Sequence, residues 1–162
     1  MSSTRIFQAL RIVLAVGMIF FITTLFDGGS QSESSAAFET VQAAVIQGVD
    51  MTNMQQAENR MLKRLYGLSS GDYEGIVLYY PTTNMGAEEI LLVKLADTDQ
   101  ADTVTAAIDS RLATQKKSFD GYGTDQTDLL TNYSIIDVQG NYILFVVNYD
   151  CDGIDAAFQG SL

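Results

Sequence analysis

The stretch from Glu88 to Phe119 most constrains the fold, because it joins a short apolar run to a long amphipathic one. Residues 90–96 are mostly Leu and β-branched, too few for a helix and typical of a buried strand. Asp99, followed by Asp102, is typical of a helix N-cap with a carboxylate in the first turn. The residues that then recur at intervals of three and four are Ala101, Val104, Ile108, Leu112, Gln115 and Phe119. The stretch therefore predicts strand, tight turn and helix, one half of an α+β core.

The rest of the chain supplies further elements in an order that indicates the fold class. A strand predicted over 73–80 lies close enough in sequence to the strand over 90–96 to form a hairpin with it. Two later strands flank a turn at Gly140. Helices are predicted over 38–47, 55–66, 99–119, 125–130 and 153–158, and strands over 73–80, 90–96, 133–138 and 142–149. This pattern predicts an α+β domain with an antiparallel sheet of about four strands and helices packed mainly on one face.

An apolar run near the amino terminus, residues 6–26, is long enough to cross a bilayer, which takes about 20 residues. Arg5 and Arg11 are the only charged residues before Asp27, so the positive-inside rule places the amino terminus in the cytoplasm. A cleaved signal peptide is the alternative, with small residues at 35–37, but the apolar run is long for one. We predict a single-pass transmembrane anchor over 1–26, a flexible Gly/Ser-rich linker over 27–37 and an extracytoplasmic domain over 38–162.

The charge of the chain excludes one class of partner. Twenty acidic residues against nine basic ones give a net charge of −11. A nucleic-acid partner needs a basic surface, so none is expected. The chain has no His, which rules out a Ser-His-Asp triad.

Three spaced groups of residues accompany the first strand and helix. They are Asn84, Glu88, Glu89, Ile90 and Lys94, then Ile108, Arg111, Gln115, Phe119 and Tyr122, then Gly140, Asn141 and Tyr142. In this order and spacing they resemble DUF4358, an uncharacterised family of bacterial envelope proteins, over roughly residues 41–152. Members of that family typically begin with a lipoprotein signal or an apolar anchor and keep one small domain outside the membrane. The only Cys here is Cys151, so the resemblance implies a protein held at the cell membrane by its helix.

Five polar residues could meet where the first strand packs on the long helix. They are Glu88, Glu89, Lys94, Arg111 and Gln115. Arg111 lies one step off the apolar stripe of the helix, so it is expected at the border of the buried face with Glu88 or Glu89 as its partner. A structural ion pair is favoured over a ligand site, because structural networks commonly hold such groups.

One possible metal site lies near the carboxyl end of the chain. Asn148, Asp150 and Asp152, followed by Gly153, have the oxygen spacing and the turning Gly of a calcium loop. The twelfth position is Gln159 where a bidentate Glu is usual, and the loop follows a strand. Calcium is the one cofactor to consider, and the alternative is that these acids cap a last short helix.

We predict a non-catalytic binding or accessory module of the cell envelope, with an envelope protein or glycan as partner. An envelope hydrolase using carboxylates or a Ser69–Lys94 pair is one alternative, and a calcium-dependent adhesion module is another. Adjacent strand residues point to opposite faces, so Glu88 and Glu89 are poorly placed to share a substrate. The string Gly67–Gly71 matches G-x-S-x-G, but it follows a helix and precedes a strand, the reverse of a nucleophile elbow.

Overall fold

A computed structural model of the protein describes residues 33–121 and 123–162. The predicted anchor over 1–26 and the first part of the predicted linker lie outside these residues. Within the described part of the chain, no helix combines the length and the apolar character that a membrane crossing requires.

Five antiparallel strands form the sheet, which is one more than the sequence predicts. They are β1 (Met54–Gln56), β2 (Gly75–Pro81), β3 (Glu89–Lys94), β4 (Ser134–Gln139) and β5 (Tyr142–Val147), in the order β1-β2-β3-β5-β4. The two predicted hairpins, β2–β3 and β4–β5, are confirmed, and pairing of β3 with β5 joins them. The extra strand, β1, overlaps the start of the predicted helix 55–66. Its three residues pair only with β2. They form a strand because of this pairing and not because of their local sequence periodicity.

Helices cover both faces of the sheet, so the expectation of helices mainly on one face is wrong. They are α1 (Phe38–Ile46), α2 (Asn59–Tyr66), α3 (Ala101–Phe119), α4 (Thr124–Asn132) and α5 (Cys151–Gly160). The side chains of α2, α3 and α4 pack on one face with Leu91 and Val93. Those of α1 and α5 pack on the other with Ile90 and Leu92. Because β3 is apolar on both sides, both faces need cover.

The start of the long helix differs from the predicted cap at Asp99. Its first turn is a 3₁₀ turn, Thr98–Gln100, and Asp97 is the capping residue. The Asp97 carboxylate accepts a hydrogen bond of 3.0 Å from the backbone N–H of Asp99. The Gln100 side-chain oxygen accepts one of 3.3 Å from the backbone N–H of Asp97, which completes a capping box.

Residues 33–37, predicted as the end of a flexible linker, are held against the domain. The amide of Asn141 accepts a hydrogen bond from the backbone N–H of Ser34 at 2.8 Å and donates one to its carbonyl at 3.3 Å. The carbonyl of Ala36 accepts from Lys94 Nζ at 3.2 Å and from the Tyr142 hydroxyl at 2.9 Å. The folded domain therefore begins before residue 38.

Gly75, the first residue of β2, leaves the space that the ring of Phe38 fills. A Cβ added at Gly75 would lie 2.5 Å from ring atoms of Phe38, closer than real contacts allow. Gly75 shares its face with Val77 and Tyr79, so the ring belongs to the core that α1 and α5 cover. The backbone of β2 thus fixes where α1 begins.

Gly75→Ala should displace the Phe38 ring and lower the free energy of unfolding by about 1–3 kcal/mol, the usual cost of overpacking. Urea denaturation measures it. Gly71→Ala is the matched control, because no atom lies within 4 Å of an added Cβ there. Equal stability of the two variants would mean that Phe38 does not need this space.

Candidate functional site

Glu89 is a fully buried carboxylate at the first position of the central strand β3, with an exposed fraction of 0%. Side chains alternate along a strand, so Glu89 shares the face of Leu91 and Val93, which α2, α3 and α4 cover. A carboxylate buried so completely needs charged or hydrogen-bonding partners.

Three side chains from two helices supply those partners. Arg111 on α3 binds Glu89 with two parallel bonds, Nε to Oε1 at 3.0 Å and Nη2 to Oε2 at 2.6 Å. Gln115, one turn later on α3, donates its side-chain N–H to Oε2 at 3.1 Å. The hydroxyl of Tyr66, the last residue of α2, donates to Oε1. We call Tyr66, Glu89, Arg111 and Gln115 the Glu89 network.

The network stabilises one ionisation state of its members. Burial alone lowers the pKa of the Arg111 guanidinium, but the hydrogen bonds and charge of Glu89 outweigh it and raise that pKa above its usual value. Burial, together with the charge of Glu89, raises the pKa of the Tyr66 hydroxyl well above its usual range. Arg111 therefore stays charged and Tyr66 stays a neutral donor, an arrangement suited to structure and recognition more than to proton transfer.

The structure brings together three of the five predicted polar residues. Arg111 does pair with a neighbouring glutamate, and Gln115 joins them. Glu88 and Lys94 do not join the network. Tyr66 was missed, because its place at the end of an amphipathic helix carries no sign of a partner 23 residues later.

Glu88 and Lys94 have other partners. Glu88 accepts a hydrogen bond from the Asn148 side chain at 3.4 Å. Burial and the nearby charge of Asp50 raise the pKa of the Glu88 carboxyl. Lys94 forms an ion pair of 3.0 Å with Glu74. Because side chains alternate along the strand, Glu88 and Lys94 lie on the opposite face of the sheet from Glu89, and the five predicted residues do not form one cluster.

A cleft of about 350 Å³ opens over the exposed side of the Glu89 network. The polar residues that line it are Arg64, Thr83, Asn84, Arg111, Gln115 and Ser118, and the apolar lining includes Leu65 and the Tyr80 ring. A second cleft of about 280 Å³ shares Met61, Arg64 and Tyr80 with it and extends along β1. Both α2 and α3 thus present side chains to one recess beside the edge of the sheet.

The predicted calcium residues lie where β5 leads into α5. The side-chain oxygen of Asn148 accepts a hydrogen bond of 2.8 Å from the backbone N–H of Asp150. Asp150 is the residue before the first turn of α5, and Asp152 lies in that turn. Among residues 33–121 and 123–162, no three acidic or cysteine side chains are gathered as metal ligands would be. Calcium binding by this loop stays a prediction.

The residues proposed for nucleophilic catalysis are used otherwise. Ser69 precedes a 3₁₀ turn, Ser70–Asp72, and makes no hydrogen bond with Lys94 in the part of the chain that the structure describes. Cys151 is 5% exposed. Burial and the charge of Asp152 raise the pKa of the Cys151 thiol, which disfavours the reactive thiolate.

A pair of acids lies between β4 and α5. The Gln159 side-chain N–H donates to Asp137 and to Asp155, each at 2.9 Å. Burial, then the hydrogen bond and charge of Asp137 and the charge of Asp152, raise the pKa of Asp155 to about 6. The edge strand is thus joined to α5 through a pair whose charges repel each other.

A five-stranded antiparallel sheet between two helical layers, with a buried network under a cleft, defines a three-layer α+β domain with a candidate ligand site. Residues 47–148, more than half of the chain, match the family described as Domain of unknown function (DUF4358), and the chain belongs to that family. The resemblance noted from the sequence is confirmed. No curated protein and no solved structure matches the chain.

The matched range contains the sheet and the helices of one face. It begins after α1 ends and stops before α5 begins, so it includes the whole Glu89 network and both clefts. The part of the chain that defines the family is therefore also the part that builds the candidate site.

Arg111→Ala should lower the free energy of unfolding by about 3–5 kcal/mol, because Glu89 would stay buried without its charged partner. Arg111→Met should cost nearly as much, since the acid is again left unpaired. Combining Arg111→Met with Glu89→Gln should recover much of the loss. Chemical denaturation measures all three, and Lys117→Ala, an exposed charge on the same helix, is the control. If Arg111→Ala were as stable as this control, the ion pair between Arg111 and Glu89 would contribute no more to stability than an exposed surface charge does.

The free energy of unfolding should decrease as the pH rises from about 4 to about 6, because Asp155 loses its proton in this range. The folded-state pKa is raised above that of an unfolded Asp, so the folded protein binds the proton more tightly and loses this stabilisation as pH rises. Asp155 is partly exposed, which limits the effect to about 1 kcal/mol or less.

Asp155→Asn should remove that part of the pH dependence and raise the melting temperature at pH 7. Asp109→Asn, an exposed acid in the middle of α3, is the control. Identical slopes for wild type and Asp155→Asn between pH 4 and pH 6 would contradict the assignment.

Proposed function

We propose that this protein is a non-catalytic binding module of the bacterial cell envelope and that its ligand site is the cleft over the Glu89 network. The observation that carries the proposal is this recess of about 350 Å³, within the usual size of small-ligand sites. It is lined by two guanidinium groups, two side-chain amides and several hydroxyls beside apolar side chains, the mixture that orients a bound molecule.

The network beneath the cleft supports binding over catalysis. Glu89 already accepts hydrogen bonds from three side chains, so it is poorly suited to act as a general base or a nucleophile. Glu88, the other carboxylate considered for a hydrolase, bonds to Asn148 and does not line this cleft. A fixed ion pair under a recess instead holds Arg111 and Gln115 in one orientation, which lowers the entropy lost on binding.

We propose the location from the amino-terminal sequence. The apolar run over 6–26, with Arg5 and Arg11 as the only charges before Asp27, suits a single-pass anchor that keeps the domain outside the cell membrane. A docked segment over 33–37 would hold the domain close to the end of a short linker. A ligand would then be an envelope component within reach of the membrane.

Cysteine labelling in intact cells tests location and occupancy together. Thr114 and Ser118 are exposed residues one turn apart on α3, and only Ser118 lines the cleft. Thr114→Cys should react with a membrane-impermeant maleimide in intact cells. Ser118→Cys should react more slowly in cells than in the purified full-length chain, because the natural ligand covers it. The wild type gives the background, since Cys151 is buried.

Two results would count against the proposal, each against a different part. Labelling of Thr114→Cys only after the cells are permeabilised would contradict the extracytoplasmic location. Equal labelling rates of Ser118→Cys in cells and in the purified protein, with Thr114→Cys also unchanged, would mean that the cleft is not occupied.

A further inference from the structure

We infer that the cleft binds the carboxyl-terminal end of a peptide, with the terminal carboxylate on Arg64 and Arg111. This inference rests on the proposed function, because it names the class of ligand for the same cleft. It comes from the charge of the cleft, from one unpartnered buried oxygen and from the size and lining of the recess.

The cleft is positively charged, although the whole protein is negatively charged. The chain carries a net charge of −11, yet no acidic residue lines this recess. Glu89 balances Arg111, so Arg64 supplies the net positive charge. Within residues 33–121 and 123–162, Arg64 forms no ion pair, and the Nη1 group of Arg111 makes no hydrogen bond. Two guanidinium groups with free donors favour a carboxylate, which accepts paired N–H bonds.

One buried oxygen at the same place lacks a partner. Gln115 is 4% exposed and lines the cleft, and its side-chain oxygen makes no hydrogen bond among the described residues. Glu89 only accepts hydrogen bonds, so it holds the N–H₂ end of Gln115 and leaves the oxygen as an acceptor. A buried acceptor without a donor costs free energy, and a shift of the Gln115 side chain toward the cleft would let a ligand N–H satisfy it.

A terminal peptide residue offers these groups together. Its carboxylate and its backbone N–H are attached to the same Cα, which suits a cleft that is lined both by guanidinium donors and by Gln115. Phosphate also binds guanidinium groups, but a dianionic phosphate has no N–H for Gln115.

The lining favours a side chain over a sugar ring. Phe119 is 5% exposed and Tyr80 is half-buried, so neither ring exposes a full face on which a sugar could stack. Leu65 and Met61 add apolar contact for one side chain. The recess of about 350 Å³ has room for one or two residues, and the adjoining cleft of about 280 Å³ provides a path for the residues before them.

Peptides that differ only at their last group test the inference. The probes are fluorescein-labelled tripeptides ending in Ala or Leu, each as the free acid and as the carboxyl-terminal amide, added to the full-length chain in detergent micelles. Fluorescence anisotropy should show the acid binding at least about tenfold more tightly than the amide, the effect of losing a charge-assisted bond. Arg64→Gln should remove that difference, and the amide should bind the variant as it binds the wild type.

Lys63→Gln is the matched control, because Lys63 is an exposed basic residue beside Arg64 that lines neither cleft. Lys63→Gln should bind the free-acid peptide as tightly as the wild type does. Both Arg64→Gln and Lys63→Gln should have the melting temperature of the wild type. Equal affinity for acid and amide would overturn the carboxylate assignment, as would an equal loss in Lys63→Gln. Binding of a glucuronate oligosaccharide without binding of the peptides would overturn the peptide class. In each case slower labelling of Ser118→Cys in cells would still support a ligand in the cleft, so the two proposals fail separately.

Discussion

The pairing of Glu89 with Arg111 is the interaction on which the arrangement of the domain depends. A carboxylate with no exposed surface at the start of the central strand is costly unless its partners are in place. Those partners come from the end of α2 and the middle of α3, so the charge fixes both helices against one strand. Apolar packing alone would tolerate a shift of α3 along the sheet, whereas two parallel bonds to one guanidinium group do not.

Much of the fold could be predicted from the sequence, and the failures have physical causes. Local patterning identified β3 from its continuous apolar run and α3 from its apolar spacing, because β3 is buried over most of its length and α3 along one face. It placed β1 in a helix, because a strand of three residues at an edge is decided by pairing with β2. It also placed the helices mainly on one face, although Ile90 and Leu92 already indicate a second apolar face to be covered.

The candidate site was predicted in part for the same reasons. Arg111 and Gln115 are four residues apart on one helix, a spacing that a sequence displays directly. The choice of Glu89 over Glu88 follows from alternation along β3, and the same rule puts Lys94 on the far side. Tyr66, Arg64 and the recess between α2 and α3 depend on how two helices meet, which local patterns do not encode. The unpartnered oxygen of Gln115 is likewise visible only once the packing is known.

The docked segment over 33–37 also decides how mechanical load enters the domain. A pull on the chain from the side of residue 33 first meets the paired bonds between Ser34 and Asn141 and the bond from Ser34 to the Leu162 carbonyl. It next meets the two bonds that Lys94 and Tyr142 make to Ala36, at the ends of β3 and β5 that adjoin Asn141. These five bonds share the load before it reaches α1. Tension applied to the chain from that side can therefore peel away residues 33–37 while the opposite face, with α2, α3 and the cleft, keeps its shape.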